Sequence, residues 1–135
     1  MKQISGGVTA AKGFCAASTA AGIKYKDRKD MALIYSKTPC KAAGTFTTNI
    51  VKAAPVKWDQ KIVAESACAH AVVVNAGIAN ACTGQEGMDY CSQTADHAAE
   101  LLKIPADSVL VASTGVIGMQ LPMERIKDGV SAMVP

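Results

Sequence analysis

Two stretches end apolar runs in residues that could do chemistry: VASTGVIG, Val111 to Gly118, and VVVNAGIANACTG, Val72 to Gly84. In the first, Thr114 and Gly115 can offer a hydroxyl and an unshielded backbone N–H side by side. Acyl transfer develops negative charge on a carbonyl oxygen, and losing one such donor costs about 3–4 kcal/mol of transition-state stabilisation. Threonine is stiff at χ1, which helps aim its hydroxyl. The competing reading is a turn whose hydroxyls satisfy local backbone groups, the commoner use of Ser-Thr-Gly after a strand. In the second stretch Asn75 and Asn80 flank AGIA. They either brace the loop against backbone, contact a substrate, or support the Thr114 loop. Cys82 beside Thr83 has the right type for a nucleophile, but no His or Asp partner is legible near it.

Other site classes are poorly supported. Neither GxxxxGK[ST] nor GxGxxG occurs, and TGVIG holds only two glycines, so a nucleotide site is a weak reading. His70 and His97 lie far apart with no ligand pattern, so no metal is expected. The five cysteines (Cys15, Cys40, Cys68, Cys82, Cys91) form no CxxC; they read as reduced thiols of a cytoplasmic protein, mostly as small core residues. No secretory signal or membrane span is legible. Residues 1–67 carry 11 Lys/Arg against 4 Asp/Glu, and residues 68–135 carry 3 against 7. That split suits either a solvated basic face or attraction of anions. Aromatics do not interleave the basic residues, so nucleic acid is not an expected partner.

These residues need elements to hold them. The chain has 135 residues, half hydrophobic but only 4% aromatic; its small side chains suit close layers of sheet and helix. GFCAASTAAGI, MALIYSK and AAGTFTTNIV read as strands, with KYKDRKD as a hairpin loop and a turn at Pro39. KAAPVKWDQKIVAES reads as a short helix opened by Pro55, with Val56, Ile62 and Val63 inward and Trp58 as packing. AHAVVVNAG is a buried strand ending at Asn75 to Gly77. In GQEGMDYCSQTADHAAELLK, Met88, Cys91, Ala95, Ala98 and Leu102 recur at helical spacing until Pro105. DSVLVAS is another buried strand, and Pro122 opens a helix lined by Ile126, Val130 and Met133. Strand, loop, helix, strand, loop, helix is a layered α/β pattern. The apolar end at Met133, Val134 and Pro135 suggests a polypeptide that continues.

Three segments share an order and spacing with a known family: FTTNIVKAAPV (Phe46 to Val56), VVVNAGIANACTG and ASTGVIGMQLPMERI (Ala112 to Ile126), with DMALIYSK (Asp30 to Lys37) before them. Over nearly its whole length the chain resembles the N-terminal part of the ArgJ family of bacterial arginine biosynthesis, the ornithine acetyltransferases (glutamate N-acetyltransferases). The resemblance implies acetyl transfer from N-acetylornithine to glutamate, with acetyl-CoA a further substrate in bifunctional members and no organic cofactor or metal. It implies a cytoplasmic precursor that cuts itself into α and β chains, assembles as an αβ heterotetramer, and attacks through the new N-terminal threonine of β. It implies a four-layer αββα sandwich built on a mixed sheet with flanking helices. Carried over, the oxyanion hole is the Thr114 hydroxyl and the Gly115 N–H.

The match has gaps. No ATML-type cleavage motif, no lysine-glycine segment before it and no β-chain substrate ligand occurs in the sequence. Ile78 stands where many relatives have Asn, which weakens a substrate role there. Residues 1–135 are therefore expected to be a single N-terminal α-chain portion, inactive alone and incomplete without the β chain, and to contain no nucleophile. Two rivals are a self-processing aminopeptidase or amidohydrolase of similar fold, and a non-catalytic small-molecule-binding fragment.

Overall fold

The computed structural model describes residues 3–66 and 68–134. Pro135, named above, lies outside them. Among the described residues a four-stranded sheet runs β1 (Phe14–Thr19), β2 (Met31–Lys41), β3 (Cys68–Ile78), β4 (Val109–Val116), in that spatial order. The helices are α1 (Ala54–Glu65), α2 (Gly84–Leu102) and α3 (Met123–Met133). β1, β2 and β3 pair antiparallel, whereas β4 joins β3 in parallel after α2 crosses over. The sheet is thus mixed, as the alternation of elements implied.

Burial alternates along the strands. Met31, Leu33, Ala71, Val73, Val109 and Val111 are buried towards the helices, while Ala32, Ile34, Val72, Val74, Leu110 and Ala112 are half-buried. Pairing register lines the second set up as rows, Ile34–Val72–Leu110 and Ala32–Val74–Ala112. They form an apolar sheet face opposite the helical layer. The main core joins all of that buried set but Val111 to Ala95, Ala98 and Ala99 of α2 and Ile126, Val130 and Met133 of α3, while Val111 packs with Ala54 and Cys91 in a smaller cluster.

The helices begin and end as their residue types require. Pro55 sits in the first turn of α1, where its missing N–H costs nothing. Lys103 caps α2 in the left-handed conformation, at φ 55°, and Pro105 follows. Met88 and Leu102 are half-buried, Cys91, Ala95 and Ala98 fully so. The β1–β2 loop is pinned by the buried Asp30, whose two carboxylate oxygens accept the N–H groups of Ala21 and Ile23, each at 2.7 Å.

Three expectations fail. AAGTFTTNIV forms no strand: residues 42–50 are irregular, and Ile50 is 99% exposed. β-branched residues favour a strand only where a ladder partner exists, and none lies beside this stretch among the described residues. Pro39 lies within β2 rather than in a turn. It is tolerated because the β2–β3 register breaks between Tyr35 and Cys40, where the Ser36 hydroxyl donates to the Thr38 carbonyl at 2.6 Å. Of the cysteines only Cys91 is a core residue; Cys15 and Cys82 are exposed and all five are free. Ile126→Ala in the intact protein should cost about 2–5 kcal/mol in a urea titration, because the buried side chain is packed by α3 against the sheet.

Candidate functional site

The C-terminal ends of β3 and β4 lie side by side, with Asn75, Ala76, Gly77 and Ile78 opposite Ser113, Thr114, Gly115 and Val116. Ser-Thr-Gly is therefore inside the strand, not in a turn after it. The parallel register aligns Thr114 with Ala76, which continues the apolar rows, so its side chain belongs to the sheet face without helices. Thr114 and Gly115 are exposed. Among the described residues the Thr114 hydroxyl has no hydrogen-bond partner.

β4 is the edge strand, which decides where the Gly115 N–H points. The Val109 carbonyl accepts the indole N–H of Trp58 at 3.0 Å, and the Val111 N–H donates to Asp59 Oδ1 at 2.9 Å. Both groups point outwards, away from β3. The Val116 carbonyl instead accepts the Ala79 N–H, at 2.9 Å. Polar groups alternate sides along a strand, so the Gly115 N–H turns outwards with that of Val111. Trp58 is thus a polar cap as well as a packing residue.

Gly115 must be glycine. Its φ is 135°, and a Cβ there would overlap the Gly77 carbonyl and sit 2.6 Å from the Ile78 nitrogen. Gly77 is itself at φ 115°. Where the two glycines face each other, β3 leaves no room for a side chain on β4.

The β3–α2 loop is held by its own hydrogen bonds. Asn80 is 2% exposed; its amide donates to the Gly87 carbonyl at 2.8 Å and accepts the Thr83 hydroxyl at 2.7 Å. Asn75 donates to the Ile78 carbonyl at 2.9 Å. Both asparagines brace the loop, Asn80 through both ends of its amide and Asn75 through its NH2 group. The Ile78 side chain is buried; what the position offers locally is its carbonyl. Ser113, which the sequence reading passed over, hydrogen-bonds to the Asn80 N–H and the Ile78 carbonyl. No short-range signal marks a bond across 33 residues. A cavity of about 100 Å³ lined by Cys82, Thr83, Gly118, Met119 and Gln120 opens at this end of the sheet. Neither Thr114 nor Gly115 lines it.

Two histidines and the buried Cys91 are the other groups of the types a site could use. Burial, reinforced by the charge of Asp59 and opposed by the Asn80 amide, pushes the Cys91 thiol up to about 12, so it stays protonated at neutral pH. His70 Nδ1 lies 3.2 Å from the Ser36 carbonyl and His97 Nε2 2.9 Å from the Ser131 hydroxyl. Among the described residues no group of three His, Cys, Asp or Glu could hold a metal. Nor is any described helix long and apolar enough to cross a membrane.

A mixed sheet backed by helices, with its glycine-bearing strand ends open, belongs to the layered α/β class. The ArgJ family model matches residues 15–135. The arginine biosynthesis bifunctional protein ArgJ of Gloeobacter violaceus is 51% identical over 97% of this chain, and that of Thermotoga neapolitana 50% over 91%. Those matches span 32% and 31% of the relatives' own lengths, so the chain corresponds to about a third of them. Of solved structures, ornithine acetyltransferase from Mycobacterium tuberculosis, crystallised with ornithine, superposes with TM-score 0.90 at 45% identity, over 95% of this chain and 69% of that one. The ArgJ protein of Bacillus halodurans gives 0.87 at 44%, over 93% and 65%. The chain belongs to the ArgJ family.

Two predictions follow from this geometry. Burial raises the Asp59 carboxyl from 3.8 to about 6, partly offset by the Val111 N–H. The folded state therefore holds this proton more tightly than the unfolded chain, and stability from this group falls as pH rises from 3.8 through about 6. Asp59→Asn keeps an acceptor for Val111 without the charge. Thermal melts of the intact protein should show the variant gaining on the parent as pH rises from 4 to 7; a constant difference would contradict this. Gly115→Ala should lower the melting temperature, since it forces β3 and β4 apart and strains φ.

Proposed function

We propose that this chain is the N-terminal α-chain portion of a self-processing glutamate N-acetyltransferase, and that Thr114 and Gly115 form its oxyanion hole. Acetyl passes from N-acetylornithine to glutamate, with acetyl-CoA an alternative donor in bifunctional members. A threonine at the N-terminus of the β chain attacks the acetyl carbonyl, its own α-amine acting as base. The Thr114 hydroxyl and the Gly115 N–H then donate to the oxygen of the tetrahedral intermediate. The observation that carries this is the exposed Thr114 side chain near the end of edge strand β4, beside a Gly115 N–H that strand alternation turns outwards.

Three further features support the reading. The apolar sheet face and the exposed Val116, Ile117 and Met119 suit cover by a second sheet and by the β chain. The same stretch fills about two thirds of a solved relative but a third of a curated one, as expected if family precursors are divided into two chains. Ornithine is the named ligand of one structural relative. The protein is read as cytoplasmic, acting as an αβ heterotetramer without metal or organic cofactor.

Thr114→Ala in the complete, matured protein should lower kcat about 10²-fold or more with folding intact. Steady-state acetyl transfer to glutamate, with circular dichroism as control, checks it. Unchanged turnover would remove the oxyanion role.

A further inference from the structure

We propose that Ser113 is a positioning residue that sets the two donors by tying β4 to the start of α2. The inference deepens the acetyl-transfer reading and rests on it. Thr114 and Gly115 sit on an edge strand, held on one side only by β3. Edge strands are easily displaced, and a shift of about 1 Å in a catalytic group can cost 10²-fold in rate.

The geometry of Ser113 answers that weakness. Its register partner is Asn75, so its side chain lies on the helical face while that of Thr114 lies on the other. Its hydroxyl oxygen accepts the Asn80 N–H at 2.9 Å, and its O–H donates to the Ile78 carbonyl at 3.4 Å. The Ile78 carbonyl also accepts the Asn75 amide. Asn80 cannot follow a loose strand, because its side chain is locked to Gly87 and to Thr83 at the start of α2. Gly87 leaves no slack there, since a Cβ on it would fall 2.7 Å from Asn80 Oδ1. Ser113 therefore joins the strand to a fixed point one residue before the first donor and two before the second. Gly115, at φ 135°, takes a backbone shape that side-chain packing cannot enforce, since it has no side chain. The anchor must come from its neighbours: the Val116 carbonyl accepts the Ala79 N–H on one side, and on the other the Ser113 hydroxyl is the side chain that bonds outside its own strand.

The test uses Ser113→Ala, Ser113→Thr, Thr114→Ala and the double variant in the complete, matured protein, measuring kcat, KM for each substrate and Tm. The expected result for Ser113→Ala is a roughly tenfold fall in kcat, KM values within about twofold and little change in Tm. Ser113→Thr keeps the hydroxyl and should stay within about twofold of the parent. The Ser113→Ala loss should shrink in the Thr114→Ala background, because the two act as one unit. If Thr114→Ala lowers kcat but Ser113→Ala does not, or if their losses multiply, the positioning role is overturned. A Ser113→Ala effect confined to Tm overturns it as well, as does a folded Ser113→Thr as slow as Ser113→Ala. If Thr114→Ala itself leaves kcat unchanged, the oxyanion reading fails, and this inference with it.

Discussion

The parallel pairing of β3 with β4 is the constraint on which the rest of the structure depends. Parallel neighbours need a crossover, which α2 supplies, and the crossover brings two loops to one end of the sheet. At that end Gly77 and Gly115 face each other with no room for a Cβ on Gly115. The close approach lets an edge strand stay registered to its last residues, where a hydroxyl and an N–H are left without partners. The small-residue composition is explained by the same demand: Ala95, Ala98 and Ala99 let α2 lie close against the sheet.

The two faces of the strand ends divide the labour. On the helical face, Asn75, Ser113 and Asn80 spend their polar atoms on backbone and on one another. Every buried polar side chain is satisfied among the described residues. On the other face Thr114 stands clear. A hydrogen-bonded support beneath an unbonded donor suits the role proposed for Thr114, since preorganised electrostatic stabilisation needs donors that do not have to be reoriented as charge develops.

Much of this was legible in the sequence. α2 and α3 showed in apolar spacing, and Pro55, Pro105 and Pro122 marked boundaries that the structure keeps. The pattern of strands and helices gave the layered α/β class, and the ordered segments around Asn75 and Thr114 gave the family. Residues 42–50 misled because propensity describes a residue's fit to a sheet, not the presence of a neighbouring strand. Ser113, Trp58 and Asp59 were opaque for another reason: each makes its defining bond across 33 residues or more. Local pattern carries no trace of such bonds. The half-buried face of the sheet was equally hidden, because Val72, Val74 and Leu110 look as apolar as the residues beside them.

The caps on β4 have a consequence for assembly. Trp58 and Asp59 occupy the outward carbonyl of Val109 and the outward N–H of Val111. A foreign strand cannot zip along the first rungs of this edge, the usual route to unwanted self-association. Any backbone that docks there must join beyond Val111, so two side chains from a helix dictate the alignment in which an incoming segment can arrive.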